Sequence, residues 1–220
     1  NPCDYTELPK VIVRKTRTVT PQEFERLVRA VPSHYRLLVD TFIETGMRWG
    51  EVIALRPRHV DFLSRMVRVE DTIVETSKKN SPTGERFLVK PYPKNNEPRT
   101  FGVRQGWLDE VAAHIRTKSI GRDDLLFATR VGTPISRNSF RTQVWLPAVK
   151  ASGVDFRVRV HDLRHAHASW LLAGGSDLRS VMDRMGHHQI QTTQKYLHAL
   201  PEADRKNLDA LERISRGTNR

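Results

Sequence analysis

Residues 160–198 read VHDLRHAHASWLLAGGSDLRSVMDRMGHHQIQTTQKYLH, and their pattern organises the reading of the whole chain. The stretch opens as an apolar-periodic helix with His161 and Arg164 near its start and stops at Gly174-Gly175. It resumes as a second short helix, passes through Met185-Gly186-His187, and ends on a third amphipathic segment carrying Tyr196. His161, Arg164, a further histidine and a phenol are thus spread over three linked helices. Such a layout suits a site that grips a phosphate and attacks it with a tyrosine.

Outward from this stretch the chain alternates helices with one β-rich interval. Residues 1–19 show no helical period and hold Lys10, Arg14, Lys15 and Arg17 close together, as in an interdomain linker. Thr20-Pro21-Gln22-Glu23 predicts a helix start, with Thr20 as cap, Pro21 in the first turn and Glu23 closing a capping box. Phe24, Leu27, Val28 and Val31 form its inward face. A second helix is expected over 33–45, with Tyr35, Leu38, Val39 and Phe42 inward and Gly46 as its stop. A short helix holding Val52, Ile53 and Leu55 follows Arg48 and ends at Pro57. Alternation of Val67, Val69, Asp71 and Ile73 predicts one strand over 66–74, with further strands at 87–89 and 99–103. Lys94 falls on a turn between the last two. Helices resume around Trp107–Ile115, a short extended segment covers 123–127, and Ser136 caps a helix that Gly153 ends. The tail over 202–214 is amphipathic. The expected class is mainly α with a small antiparallel β-sheet insertion (α+β), without internal repeats.

Composition bounds the function. The 220 residues allow one large domain or two small ones, and 38% hydrophobic with 28% charged residues are the proportions of a soluble globular chain. Cys3 is the sole cysteine, which excludes an intrachain disulfide framework and a cysteine-based zinc site and fits a reducing cytoplasm. No apolar run approaches the ~20 residues that span a bilayer, and no signal-peptide pattern opens the chain. Lys and Arg number 37 against 25 acidic residues, a net charge of +12. Because the basic residues are dispersed rather than gathered on one amphipathic helix, nucleic acid is a better partner than a membrane surface.

Three constellations compete for the opening stretch. His161 and His165 have the i, i+4 spacing of a zinc-binding helix, but Arg164 lies beside the would-be cation and no third ligand is identifiable. His165 and His167 read instead as structural histidines. Residues 177–198 fit a helix-turn-helix with Gly186 at the turn, the reading of a non-catalytic DNA-binding regulator. The third reading uses the whole chain. Arg48 and Arg164 supply two planar forks for one phosphodiester. Tyr196, with an ordinary phenol pKa of ~10, needs a proton acceptor, for which His161 is the candidate. Lys94 can protonate the departing 5′ oxygen, with Lys78, Lys79 and Lys90 as competing lysines, and His187 adds a donor to the phosphate.

The ordered set resembles the tyrosine recombinases, the phage-integrase family. TGMRWGE (45–51) is similar to the family's first-arginine motif, giving Arg48 with Glu51 as the acid behind it. PKNNEPRTFGV (93–103) resembles the β-hairpin carrying the catalytic Lys94, although it departs from the usual Lys-Thr-x-x-Ser-x-Arg run. HDLRH gives His161 and Arg164, and MGHHQIQTTQKYLH (185–198) gives His187 and the nucleophile Tyr196. The resemblance covers residues 20–198. It implies a catalytic domain over 20–216, reached by a linker over 1–19 from an N-terminal DNA-binding domain. It further implies a 3′-phosphotyrosine intermediate, no nucleotide or metal cofactor, and a homotetramer on duplex DNA at recombination sites, with accessory or directionality factors as further partners. The expected location is the cytoplasm, on the nucleoid. A type IB-like topoisomerase shares the chemistry and stands as the alternative enzyme.

Overall fold

The computed structural model describes residues 17–77, 79, 81–91 and 98–186. Helix α1 (Pro21–Ala30) begins at the expected capping box: Thr20 Oγ1 accepts from the Glu23 amide at 3.3 Å, and the Glu23 carboxylate accepts from the Thr20 amide at 2.9 Å. These reciprocal bonds satisfy amides that a helix start leaves without partners. Helix α2 (Ser33–Thr45) ends on Gly46 at φ +62°, and short α3 (Trp49–Val52) follows directly. Val19, placed by sequence in the linker, is instead a core residue whose carbonyl accepts from Trp170 Nε1 at 3.0 Å. Pro57 does not end α3, which stops at Val52; the proline opens a separate 3-10 turn, Pro57–His59.

The β interval holds two small antiparallel sheets rather than one. Strands β1 (Val60–Asp61), β2 (Met66–Val69) and β5 (Arg99–Gly102) form the order β1-β2-β5, and β3 (Asp71–Glu75) pairs with β4 (Phe87–Pro91). The single strand expected over 66–74 divides at Glu70 because its partner changes. Val69 opposes Arg99 while Asp71 opposes Pro91, so the partner changes from β5 to β4 across Glu70. Alternation reports which face a side chain takes, not which neighbour its backbone meets, and β1 is too short to show alternation at all. Strands β4 and β5 are not paired with each other, and Lys94, expected on a turn between them, lies outside the described residues.

Helix α4 (Gln105–Lys118) buries Trp107, Leu108 and Val111. The segment expected to be extended at 123–127 forms turns and bends, tied to the body where the Leu126 amide donates to the Leu55 carbonyl at 2.7 Å. Ser136 caps α5 (Arg137–Phe140) as predicted, but the helix widens to π geometry over Arg141–Trp145 before α6 (Leu146–Ala151). Pro147 accounts for the widening: it lacks an amide hydrogen and its ring crowds the carbonyl one turn back. Helices α7 (Val160–Ala173) and α8 (Leu178–Met185) complete the described chain, with Asp177 capping α8 and Gly186 ending it at φ +64°.

One core unites the helices. Helix α2 packs on α7, α4, α1 and α3, around Leu27, Val39, Phe42, Trp145 and Leu163. A smaller cluster of Ala168, Leu172, Val181 and Met185 joins α7 to α8. A third, Ile53, Ala54 and Ile73, seats α3 on β3. No helix of the described residues is long and apolar enough to cross a membrane.

Candidate active site

Arg48 sits at the N-cap of α3, immediately after the sharp turn at Gly46. Its amide and its guanidinium both donate to Glu51, at 2.9 and 3.0 Å. The Glu51 side chain is 2% exposed while that of Arg48 is 44% exposed, so a buried carboxylate anchors an accessible cation. Burying that carboxylate is tolerable only because cations and an amide surround it. A second guanidinium, Arg99 from β5, reaches Glu51 Oε2 at 2.5 Å and Oε1 at 3.3 Å.

Helix α7 presents two faces. In its first turn His161 is exposed, and its ring meets His165 edge to face with centroids 4.8 Å apart. Burial of part of the ring, then the neighbouring His165 and Arg164, push the His161 pKa down to about 4. On the inner face Arg164 is 2% exposed, and its terminal nitrogens donate to the carbonyls of Gly46 and Met185, each at 2.5 Å. One turn on, His167 bonds the Ile43 carbonyl through Nδ1 at 2.7 Å and accepts from Arg184 Nε through Nε2 at 3.0 Å. A carbonyl demands a donor and an arginine demands an acceptor, so this ring is held as the neutral Nδ1–H form. Burial and the Arg184 charge lower its pKa to about 4. The structural reading of His167 holds.

Arg48 and His161 border one cleft of about 860 Å³ between α3, β3, the α5–α6 helix and the start of α7. Exposed Arg137, Arg141, Arg157 and Arg159 line it as well, over buried Phe42, Met47, Ile73 and Trp145. A concentration of guanidinium groups beside an apolar surface suits an extended anion. Arg164 does not line the cleft but ties Gly46, beside Arg48, to the end of α8. Lys79 and Lys90 are exposed and take no part in that lining. Lys78, Lys94, His187, Tyr196, the second half of the helix-turn-helix candidate and the 202–214 tail lie outside the described residues.

Sequence reasoning missed Arg99 and the arginines of the α5–α6 helix. The signal for Arg99 is its place two residues before buried Phe101 on one strand, which sets a cation on an inward face. No comparable signal exists for Arg137 or Arg141, which become neighbours of Arg48 only through packing.

An arginine-lined cleft on a mainly helical body with a β insertion offers the donors and positive charge that suit a phosphodiester. The phage integrase family model matches residues 17–203, and the chain belongs to the phage integrase family. It is 31% identical over 169 residues to the tyrosine recombinase XerC of Natranaerobius thermophilus, covering 74% of this chain and 50% of the relative. It is 24% identical over 225 residues to the ICEBs1 integrase of Bacillus subtilis strain 168, covering 96% of this chain and 58% of the relative. The chain therefore spans between half and six-tenths of the length of these curated relatives. Among solved structures, the Tn1549 transposon integrase in complex with transposon right end DNA superposes with a TM-score of 0.78 at 18% identity, over 96% of this chain and 72% of that one. The XerA recombinase superposes with a TM-score of 0.68 at 21% identity, over 90% and 65%. These likenesses establish the fold expected from the sequence.

Proposed function

We propose that this chain is the catalytic domain of a site-specific DNA recombinase that cuts and rejoins strands through a 3′-phosphotyrosine. The observation that carries the reading is the meeting of three sequence blocks far apart in the chain. Arg164 of HDLRH donates to Gly46 of TGMRWGE and to Met185, which opens MGHHQIQTTQKYLH. Packing thus brings the motifs of Arg48 and Arg164 together with Met185, the first residue of the block that carries His187 and Tyr196 in sequence.

In this reading the Tyr196 oxygen attacks phosphorus, its proton passes to His161, and the bond from phosphorus to the 5′ oxygen breaks. Lys94 protonates that oxygen, releasing a 5′-OH and leaving the phosphate esterified to Tyr196. Attack by the 5′-OH of a partner strand reverses each transfer. Above about pH 4 the His161 ring is neutral and so has a nitrogen lone pair to offer, while burial and the adjacent His165 and Arg164 weaken it as a base in the absence of DNA. Arg48 and His187 stabilise charge growing on the phosphate, joined by Arg164 once its guanidinium turns from the Gly46 and Met185 carbonyls that hold it here, and Glu51 orients Arg48. Organic cations suffice for this chemistry, so the proposal calls on no metal or nucleotide. The partner is duplex DNA on the nucleoid in the cytoplasm, bound by a homotetramer that joins two sites, with accessory or directionality factors choosing the outcome.

The test is a nicked suicide duplex incubated with the parent chain and with Tyr196→Phe, resolved on a denaturing gel. The parent is expected to form a covalent adduct and the variant none, with duplex binding unchanged. An adduct surviving in Tyr196→Phe, or mapped by mass spectrometry to another residue, refutes the assignment. A parent that binds DNA without any adduct points to a regulator instead.

A further inference from the structure

Three consecutive carbonyls at the end of α8 are each met by a different arginine. Arg99 Nε donates to Arg184 O at 3.0 Å, Arg164 Nη2 to Met185 O at 2.5 Å, and Arg48 Nη2 to Gly186 O at 3.5 Å. A helix leaves its last carbonyls without intrahelical partners and gathers partial negative charge there, so cations are the natural cap. The three arginines come from three separate elements, β5, α7 and the N-cap of α3. Two of them already have roles in the proposed chemistry; Arg99 has none.

Arg99 is nevertheless tied to the carboxylate that holds Arg48. Its side chain is 10% exposed, and its two terminal nitrogens hold the same buried Glu51 carboxylate that anchors Arg48. The far side of its guanidinium packs on the α8 turn: a Cβ at Gly186 would stand 3.2 Å from Arg99 Nη1 and 3.3 Å from its Cδ. One rigid planar group therefore spans from the carboxylate behind Arg48 to the turn that precedes His187. Lysine, a point charge on a flexible stem, cannot reproduce that span.

We propose that Arg99 is a positioning residue for strand cleavage, setting the separation between the Arg48 guanidinium and the Gly186 turn from which the chain continues to His187. The inference rests on the recombinase reading of Arg48 and His187. Arg99 touches no reacting atom. It acts through Glu51 and through the carbonyl of Arg184, and its loss lets the α3 cap and the α8 end drift relative to each other. Misplacement of a reacting group by about 1 Å costs on the order of a hundredfold in rate.

The experiment uses a nicked duplex recovered from a random-sequence pool by covalent capture on the parent chain under denaturing washes. The adduct rate, duplex affinity and thermal midpoint are then measured for the parent, Arg99→Ala and Arg99→Lys. Arg99→Ala is also assayed with added methylguanidinium, which can occupy the vacated place beside Glu51. Expected is a loss of adduct rate of roughly thirty- to a hundredfold in both variants, with duplex affinity close to that of the parent. Methylguanidinium is expected to restore much of the Arg99→Ala rate without accelerating the parent. A rate that falls only in step with affinity and thermal midpoint, with no response to methylguanidinium, assigns Arg99 a merely structural role and overturns the inference. So does Arg99→Lys cutting as fast as the parent, and that variant decides the matter should Arg99→Ala fail to fold. A parent that captures no DNA overturns the recombinase reading and this inference with it, whereas a cutting parent beside an equally fast Arg99→Lys overturns this inference alone.

Discussion

Arg164 is 2% exposed with its guanidinium on two backbone carbonyls, whereas the Arg48 side chain is 44% exposed beside Glu51. Sequence treats the two arginines alike; their surroundings separate them. Arg164→Ala removes a buried cation and leaves the Gly46 and Met185 carbonyls to find other donors, a loss of about 3–5 kcal/mol. Arg48→Ala is expected to cost well under half of that. Urea unfolding of both variants checks the ordering, and equal losses would contradict it. His167 supplies a second test at this scale. Its folded pKa of about 4 lies below the ordinary 6.5, so the unfolded chain takes up the proton first as pH falls. Stability is then complete above about pH 6.5 and is lost as pH drops towards 4, by about 3 kcal/mol at the lower end. Half-buried Asp40, its pKa raised to about 6 mainly by burial, pulls in the opposite direction over part of the window. Comparing His167→Gln with the parent by urea unfolding at pH 7 and pH 4.5 cancels that term. The variant is expected to lose less stability on acidification; an identical slope would acquit His167.

At the scale of elements, two glycines close helices that end beside the site. Gly46 and Gly186 hold φ at +62° and +64°, where an L side chain costs about 1–2 kcal/mol. Space distinguishes them further. A Cβ at Gly46 would lie 2.4 Å from His167 Cδ2, on a ring fixed at both nitrogens, while at Gly186 the nearest atom is Arg99 Nη1 at 3.2 Å. Gly46→Ala is therefore expected to destabilise the chain by at least about 3 kcal/mol, and Gly186→Ala by less. Thermal unfolding of the two variants reads the order directly. The β interval carries a different lesson. Val67, Val69 and Ile73 keep one alternation across Glu70, yet β2 and β3 belong to different sheets, because the return path places Arg99 opposite Val69 and Pro91 opposite Asp71. A pattern local to one strand carries no information on where its partner departs.

For the whole molecule, a net charge of +12 combines with a cleft bordered by Arg48, Arg137, Arg141, Arg157 and Arg159. Duplex affinity is expected to fall steeply with salt, by roughly one power of the salt concentration for each phosphate neutralised. Exchanging Arg137 and Arg141 together for Gln should flatten that slope by about two. Fluorescence anisotropy across a salt series measures both, and an unchanged slope would remove the α5–α6 helix from the interface. The sequence by itself determined the features that depend on neighbours within a turn or two. These include the Thr20–Glu23 box, the stop at Gly46, the turn at Gly186, the Ser136 start, and the spacing that marks the family. Only the tertiary structure decided which arginine is buried, that Arg99 shares Glu51 with Arg48, and that Val19 belongs to the core. Arg164 finds Gly46 across 118 positions and Arg99 finds Glu51 across 48. Those bonds exist because burial around α2 and α7 brings remote backbone carbonyls and a carboxylate to one place, where each unpaired polar group would be costly, and no local pattern encodes which partner will arrive.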